Sequence, residues 1–303
     1  MHKIGLRIKG VRLDDNPQEF IEELRSVQSV GFNCIELLPD DFDLIQYGSL
    51  DIASAKKLHS VIAPFGFAVS VHVPLQLNLM NRECPGVHQN VLNACLELCC
   101  VLESDILVFH PGRIVDNVEF LRYGKPEQYW HLLTDFLHKE NKILQDLADQ
   151  YPEITIAIEN YRPYADYSPY SHAEFITELL KQVEDIGREN VKMTIDTGHL
   201  NLCSSFHGYG IFDYIDEIKD HIVHLHLHDN HGIANFYTEK DKSAMLPFGR
   251  GDEHLVPGYG TFPFREFLAR IQPYSGMYMV ELTGRYLYRN KIIEAFEKIT
   301  GLL

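Results

Sequence analysis

Acids and histidines in this chain recur at the ends of short apolar runs. His72 lies at the end of Phe67–Val73, His110 closes Asp105–His110, Glu159 closes Ile154–Glu159, and Asp196 closes Val191–Asp196 with His199 just beyond. His226 and His228 end Ile222–His228, and Glu281 lies at the end of Gly276–Leu282. Carboxylates and imidazoles are the side chains that hold divalent cations and move protons near neutral pH. A buried carboxylate is costly unless it is paired or bound to metal. Few Lys or Arg residues accompany these acids, so a cation between them is the simplest way for them to meet.

They meet only if the apolar runs are strands that end at one place. The runs Lys3–Ile8, Phe32–Leu38, Phe67–Val73, Asp105–His110, Ile154–Glu159, Val191–Asp196, Ile222–His228 and Gly276–Leu282 read as strands. Between them come helical patterns at Pro17–Val30, Ser54–Ala63, Val87–Leu102, Tyr129–Gln150, Glu174–Ile186, Ile211–Lys219, Phe264–Ile271 and Asn290–Ile299. Strand then helix, repeated without hairpin signals, is the pattern of parallel strands joined by crossover helices. Eight such units predict an α/β protein of the (β/α)8 TIM-barrel type, a single domain over residues 1–303, with the C-terminal strand ends converging at one mouth. The competing open sheet would carry a Gly-rich phosphate loop after its first strand, and Gly10 to Asp15 is not one.

Several segments together resemble one family. They are His72-Val-Pro-Leu-Gln-Leu-Asn78, Phe109-His110-Pro111-Gly112, Ala157-Ile-Glu159-Asn160, Ile195-Asp196-Thr-Gly-His199, His226-Leu-His-Asp229-Asn230, Asp252-Glu-His254 ahead of Gly258-Tyr-Gly260, and Val280-Glu281. In this order, and across nearly the whole chain, they resemble the xylose isomerase-like barrel superfamily of sugar epimerases, sugar isomerases and endonuclease IV. The resemblance implies that Glu159, Asp196, His226 and Glu281 share one divalent metal. It further implies that His72, His110, His199, Asp252 and His254 can complete a three-zinc cluster of the endonuclease IV kind. Four mostly oxygen ligands suit manganese, magnesium or cobalt, whereas the imidazole-rich larger set favours zinc.

Two chemistries therefore stay open. In one, the metal polarises a sugar carbonyl while Glu159 and Glu281 take and return the neighbouring proton, with His199 beside the developing charge. In the other, zinc activates water for hydrolysis of a phosphoester or amide. A metal-binding barrel without catalysis is the third class. His228, on the same strand face as His226, is either a substrate contact or a support for the ligands.

Composition narrows the partners. With 27 Lys and Arg against 43 Asp and Glu the formal charge is −16, and Asp40, Asp41 and Asp43 crowd the loop after the second strand. Such acidity argues against a DNA backbone and for a small substrate, sugar or sugar-like. Tyr161, Arg162, Tyr164, Tyr167 and Tyr170 follow the fifth strand, where aromatic faces either stack on a substrate or pin the loop. The long stretch from His231 to Gly251, with Phe236, Tyr237, Lys240 and Lys242, reads as a lid. Arg250, just before Asp252, would meet a substrate phosphate or pair with a nearby acid. Cys95 and Cys99 share a helix face and read as packing rather than as a redox or metal site. Six cysteines without a framework, no leader and no run of ~18 apolar residues predict a cytoplasmic protein with no membrane span. A homo-oligomer and a monomer fit the acidic surface equally.

Overall fold

The computed structural model describes residues 2–10, 17–123, 126–169, 172–239, 245–283 and 286–303. Tyr170, Lys240 and Lys242 lie outside them. Eight parallel strands form a closed barrel: β1 (Lys3–Arg7), β2 (Cys34–Leu37), β3 (Ala68–His72), β4 (Ile106–Phe109), β5 (Thr155–Glu159), β6 (Val191–Asp196), β7 (Ile222–Leu227) and β8 (Met277–Val280). Each pairs with its neighbours in sequence, and β8 pairs with β1 to complete the ring. The expected (β/α)8 TIM barrel is thus the observed fold, with seven of the eight expected strands trimmed by a residue or two at an end. Among the described residues no helix is long and apolar enough to cross a membrane.

Around the barrel run α1 (Pro17–Val30), α2 (Ile52–Ile62), α3 (Pro85–Leu102), α4 (Asn117–Tyr123), α5 (Leu133–Gln150), α6 (Ile176–Ile186), α7 (Thr197–His207), α8 (Ile215–Ile218), α9 (Phe264–Arg270) and α10 (Arg289–Thr300). Four features depart from the expected pattern, and one is α4, since no helix was expected over Asn117–Tyr123. α7 was not expected: Thr197 to Cys203 are all buried, so the segment has no polar face to reveal a helical period. Only α8 and a short 3-10 turn occupy the expected helix Ile211–Lys219. Ile45–Gln46 and Ser49–Leu50 form a small hairpin, against the expectation of none. Its turn residues Tyr47 (φ 48°) and Gly48 (φ 79°) are both left-handed, and a tyrosine there is a poor advertisement for such a turn.

The barrel interior is layered. Cys34, Ile106, Val108, Ala157, Met277 and Met279 form an apolar floor. Above it Glu36, Ser70, Thr194 and His224 make a fully buried polar layer. His72, Glu159, Asp196, His226 and Glu281 come next, toward the C-terminal ends. One irregularity sets this stacking. Between β6 and β7 the register shifts at Met193/Thr194, so Met193 faces Ile222 but Thr194 faces His224 and Asp196 faces His226. Without that bulge Asp196 would lie opposite Leu225, whose side chain points the other way.

Two buried acids hold the loops that carry site residues. Asp229 accepts N–H groups from Asn230, Gly258, Gly260 and Phe262 at 2.8–3.1 Å. Asp229 and Leu255 also exchange backbone hydrogen bonds, which fixes the intervening Asp252–His254 segment. On the outside of the barrel, Glu140 of α5 accepts Gly112 N–H at 2.8 Å and the Gln182 side-chain amide of α6 at 2.9 Å. A Cβ on Gly112 would stand 2.4 Å from Glu140 Oε2, so glycine is required where the turn after His110 approaches the helix.

Asp229→Asn replaces one accepting oxygen by a donor facing backbone N–H groups. We expect a loss on the order of 3 kcal/mol in unfolding free energy by urea denaturation. For Glu140, burial outweighs both hydrogen bonds and lifts its pKa to about 7. Below the ordinary glutamate range both folded and unfolded chains keep this proton; above it only the unfolded chain releases it until about pH 7. Its contribution to stability should therefore fall as pH rises through that window and level off beyond it. Glu140→Gln should flatten that part of the curve, as read by melts across pH.

Candidate metal and active site

Local chemistry aims each side chain. Asp196 ends β6 and caps α7, accepting His199 N–H at 2.7 Å through Oδ1. Its other oxygen, Oδ2, is left to face His228 Nε2 at 2.9 Å. Gly198 permits this, because a Cβ there would lie 2.0 Å from the His228 ring. Asn160 straps β5 to β6: its Oδ1 accepts Asp196 N–H at 2.7 Å, and its Nδ2 donates to Asp196 O at 3.2 Å. His254 holds a left-handed backbone, φ 50°, which is unusual for a residue with a side chain and common at functional sites.

Glu159 is the hub. Its Oε2 lies 3.0 Å from His110 Nε2 and 3.4 Å from His72 Nε2. Its Oε1 lies 3.3 Å from both His226 Nδ1 and His199 Nδ1. His226 Nδ1 also faces Glu281 at 3.5 Å and Asp196 at 3.8 Å. Nearby, Asp252 meets His254 Nε2 at 2.8 Å, His199 Nε2 at 3.7 Å and His228 Nε2 at 3.7 Å. Among the described residues five trios have ligand atoms close enough to share an ion: His72/His110/Glu159, Glu159/Asp196/His226, His228/Asp252/His254, Asp196/His228/Glu281 and, deeper in the barrel, Glu36/His224/His226. A tetrahedron of zinc ligands at ~2.0–2.1 Å has edges of roughly 3.3 Å, close to these separations.

The donor set fits a cation on a second ground. Glu159 Oε2 is buried and makes no well-aligned hydrogen bond. The ring orientations agree: His72 Nδ1 lies 2.6 Å from Val73 O, His199 Nδ1 3.0 Å from Asn160 O, and His254 Nδ1 3.3 Å from Glu281 O. A proton on each of those nitrogens leaves Nε2 with its lone pair toward the cluster.

Electrostatics bind the group together. Burial opposes ionisation of Glu159, yet His226 and His110 hold its carboxyl well below the usual range. Burial likewise opposes Glu281, and Arg7, His254 and His226 overcome it. His226 is raised despite burial by Glu36, Glu159 and Glu281, and His199 by Asp196, Asp252 and Glu159. His110, by contrast, is lowered to about 4, chiefly by burial.

The mouth holds a cavity of about 290 Å³ lined by Arg7, His72, His110, Glu159, Tyr161, Arg162, His199, Asp252, His254 and Glu281 among others. All nine residues expected as ligands are thus in one contiguous cluster at one end of the barrel. The expected substrate contacts divide. Tyr161 lies in the cavity wall, its ring against His110 and His199. Arg162 is there too, with Nε 3.4 Å from Asp252 and its guanidinium over Tyr164. His228 is fully buried, bonded to Asp196 and stacked 3.9 Å from His254, so it supports the ligands instead of meeting solvent. Arg250 pairs with Glu239 at 3.1 Å and lines a smaller adjoining pocket with Arg162. Tyr164 and Tyr167 pack with Tyr237 and Phe120, pinning the loop rather than facing the cavity. Ala165 N–H donates to Asn235 O, and Tyr237 N–H donates to the Asp166 carboxylate, which ties this loop to the start of the long His231–Gly251 stretch.

Sequence reasoning missed Glu36, His224 and Arg7. Glu36 lies inside β2, fully buried, with His226 Nε2 at 3.0 Å and His224 Nε2 at 3.3 Å. A lone acid within the apolar run Phe32–Leu38 was the available signal, but attention to strand ends passed over it. Arg7 pairs with Glu281 at the end of β1, where an acid or histidine was sought and a guanidinium stands.

The comparisons agree with the barrel fold. Over 224 residues the chain is 26% identical to an uncharacterized protein of Methanocaldococcus jannaschii, spanning 70% of this chain and 64% of that protein. In structure it is similar to a D-tagatose 3-epimerase-like protein, with TM-score 0.70 and 20% identity over 99% of this chain and 96% of that one. It is also similar to a D-allulose 3-epimerase from Methylomonas sp., with TM-score 0.69 and 13% identity over 100% and 98%. The model of the xylose isomerase-like TIM barrel matches residues 24–299, and the chain belongs to that family.

Proposed function

We propose that this chain is a divalent-metal-dependent isomerase or epimerase acting on a sugar or sugar-like keto compound, moving a proton next to a carbonyl. The observation that carries this reading is the pair Glu159 and Glu281. They come from β5 and from beyond β8, are both held ionised, and both approach His226 Nδ1 at the wall of one small cavity. Two such carboxylates can take a proton from one side of a carbon and return it on the other. Membership of a family with epimerase-named structural neighbours supports the same reading. A cavity of about 290 Å³ suits one monosaccharide.

Glu159, Asp196, His226 and Glu281 would hold the shared ion, of manganese, magnesium or cobalt. A bound ion would supply Lewis-acid polarisation of the substrate carbonyl. The remaining work falls to the protein. Glu159 and Glu281 exchange the proton, His199 presents Nε2 toward the cavity, and Tyr161, Arg162 and the stacked histidines exclude water. Six free cysteines fit a cytoplasmic enzyme.

A second reading has its own support. The trios around His72/His110 and Asp252/His254 flank the shared site, as a three-zinc hydrolase of the endonuclease IV type would need. Its substrate would be a small phosphoester or amide, because Asp40, Asp41 and Asp43 are exposed after β2 and repel a nucleic-acid backbone.

Protein stripped and reloaded with manganese should transfer solvent deuterium into a keto sugar. Glu159→Gln and Glu281→Gln should each cut that exchange roughly 100- to 10,000-fold. Unchanged exchange in either variant refutes its role as a proton carrier. Metal analysis of the double variant Asp252→Asn, His254→Gln separates the two readings. An isomerase keeps its single manganese and part of its exchange, whereas a hydrolase loses zinc and nearly all activity.

A further inference from the structure

His226 is the imidazole at the centre of the cluster, since its Nδ1 faces Glu159, Glu281 and Asp196 together. What holds its other nitrogen sets it apart. His72, His199 and His254 each turn one ring nitrogen to a backbone carbonyl, a neutral acceptor. His226 turns Nε2 to the carboxylate of Glu36, at 3.0 Å from Oε1 and 3.2 Å from Oε2. Glu36 belongs to β2 and His226 to β7, strands that are not neighbours, so this contact crosses the barrel interior.

Glu36 is itself fixed. Ser70 Oγ donates to its Oε2 at 3.1 Å, and His224 Nε2 lies 3.3 Å from the same oxygen. All of these groups are fully buried, beneath the cavity wall and above the apolar floor. Glu36 does not line the cavity, so it has no access to a substrate.

We propose that Glu36 is the positioning residue of the metal centre: it takes the Nε2–H of His226, thereby fixing the Nδ1 lone pair on Glu159, Asp196 and Glu281. A carboxylate in that place does two things that a carbonyl does not. It adds a full negative charge behind the ring, making Nδ1 a stronger donor to a cation, and it disfavours the neutral tautomer with its only proton on Nδ1. The layer Glu36, Ser70 and His224 stands where barrel interiors usually hold branched aliphatic residues, and this support explains its polarity. The inference rests on the proposed metal site, and it assigns Glu36 to the support of that site, outside the ligands.

The test uses Mn2+ and Zn2+ as probes on full-length protein. Wild type is titrated against a chelating dye, alongside Glu36→Gln, which keeps the shape and removes the charge. We expect Glu36→Gln to weaken binding roughly 10- to 100-fold while the number of ions per chain stays the same. Ser70→Ala, which loosens Glu36 without removing charge, should weaken it by a smaller factor and covers the case in which Glu36→Gln does not fold. In the zinc-loaded wild type, 15N shifts of His226 should report a protonated Nε2 and a metal-bound Nδ1. Unchanged affinity in the variants, metal on Nε2, or one ion fewer per chain in Glu36→Gln overturns the proposal. If wild type itself binds neither ion, it is the metal reading that fails.

Discussion

A carboxylate removed from water has to be answered by positive charge, and Glu36, Glu159, Asp196, Asp252 and Glu281 are all buried at one end of this barrel. Arg7 and Arg162 answer Glu281 and Asp252. The others lean on imidazoles, and His199, His226 and His228 are held toward their protonated forms against the pull of burial. A divalent ion would take the place of those protons, which is why affinity for metal in such a site depends on pH. The density of acids and the density of histidines are therefore one fact seen from two sides.

The scaffold meets this constraint with local devices rather than with extra mass. A bulge between β6 and β7 brings Asp196 level with His226. A helix cap orients Asp196 and delivers His199 in the same turn. Asp229 gathers four backbone N–H groups and so holds the strained segment around His254. The cap and the Asp229 bonds satisfy polar groups that the chain would otherwise leave buried and unpaired, and each also aims a side chain of the cluster. Fold stability and site geometry are accordingly carried by the same hydrogen bonds.

Above the ligands the walls are aromatic and cationic. Tyr161 alone among the described loop tyrosines lines the cavity, whereas Tyr164 and Tyr167 are spent on packing with Tyr237 and Phe120. Arg162 connects the main cavity to the smaller pocket that holds Arg250 and Glu239. The cavity is narrow, and acids stand exposed on the loop after β2.

Much of this was written in the linear chain. Apolar runs of strand length alternating with amphipathic helices determined the barrel, because a parallel strand buried on both faces has few other compositions open to it. The acids and histidines at strand ends were legible for the same reason: a histidine or acid that closes an apolar run stands out. What tertiary structure decided was everything that depends on partners from elsewhere in the chain. The first seven residues of α7 are all buried and show no polar face, so periodicity could not reveal it. Glu36 sits inside a strand and gains its meaning only from His226, 190 residues away and across the barrel. His228, Tyr164 and Tyr167 look like ligand contacts by type, but the packing of rings around them turned them inward. Local patterns report which face of an element is buried; which polar groups meet inside it is set by the closure of the ring and the one-residue shift in its register.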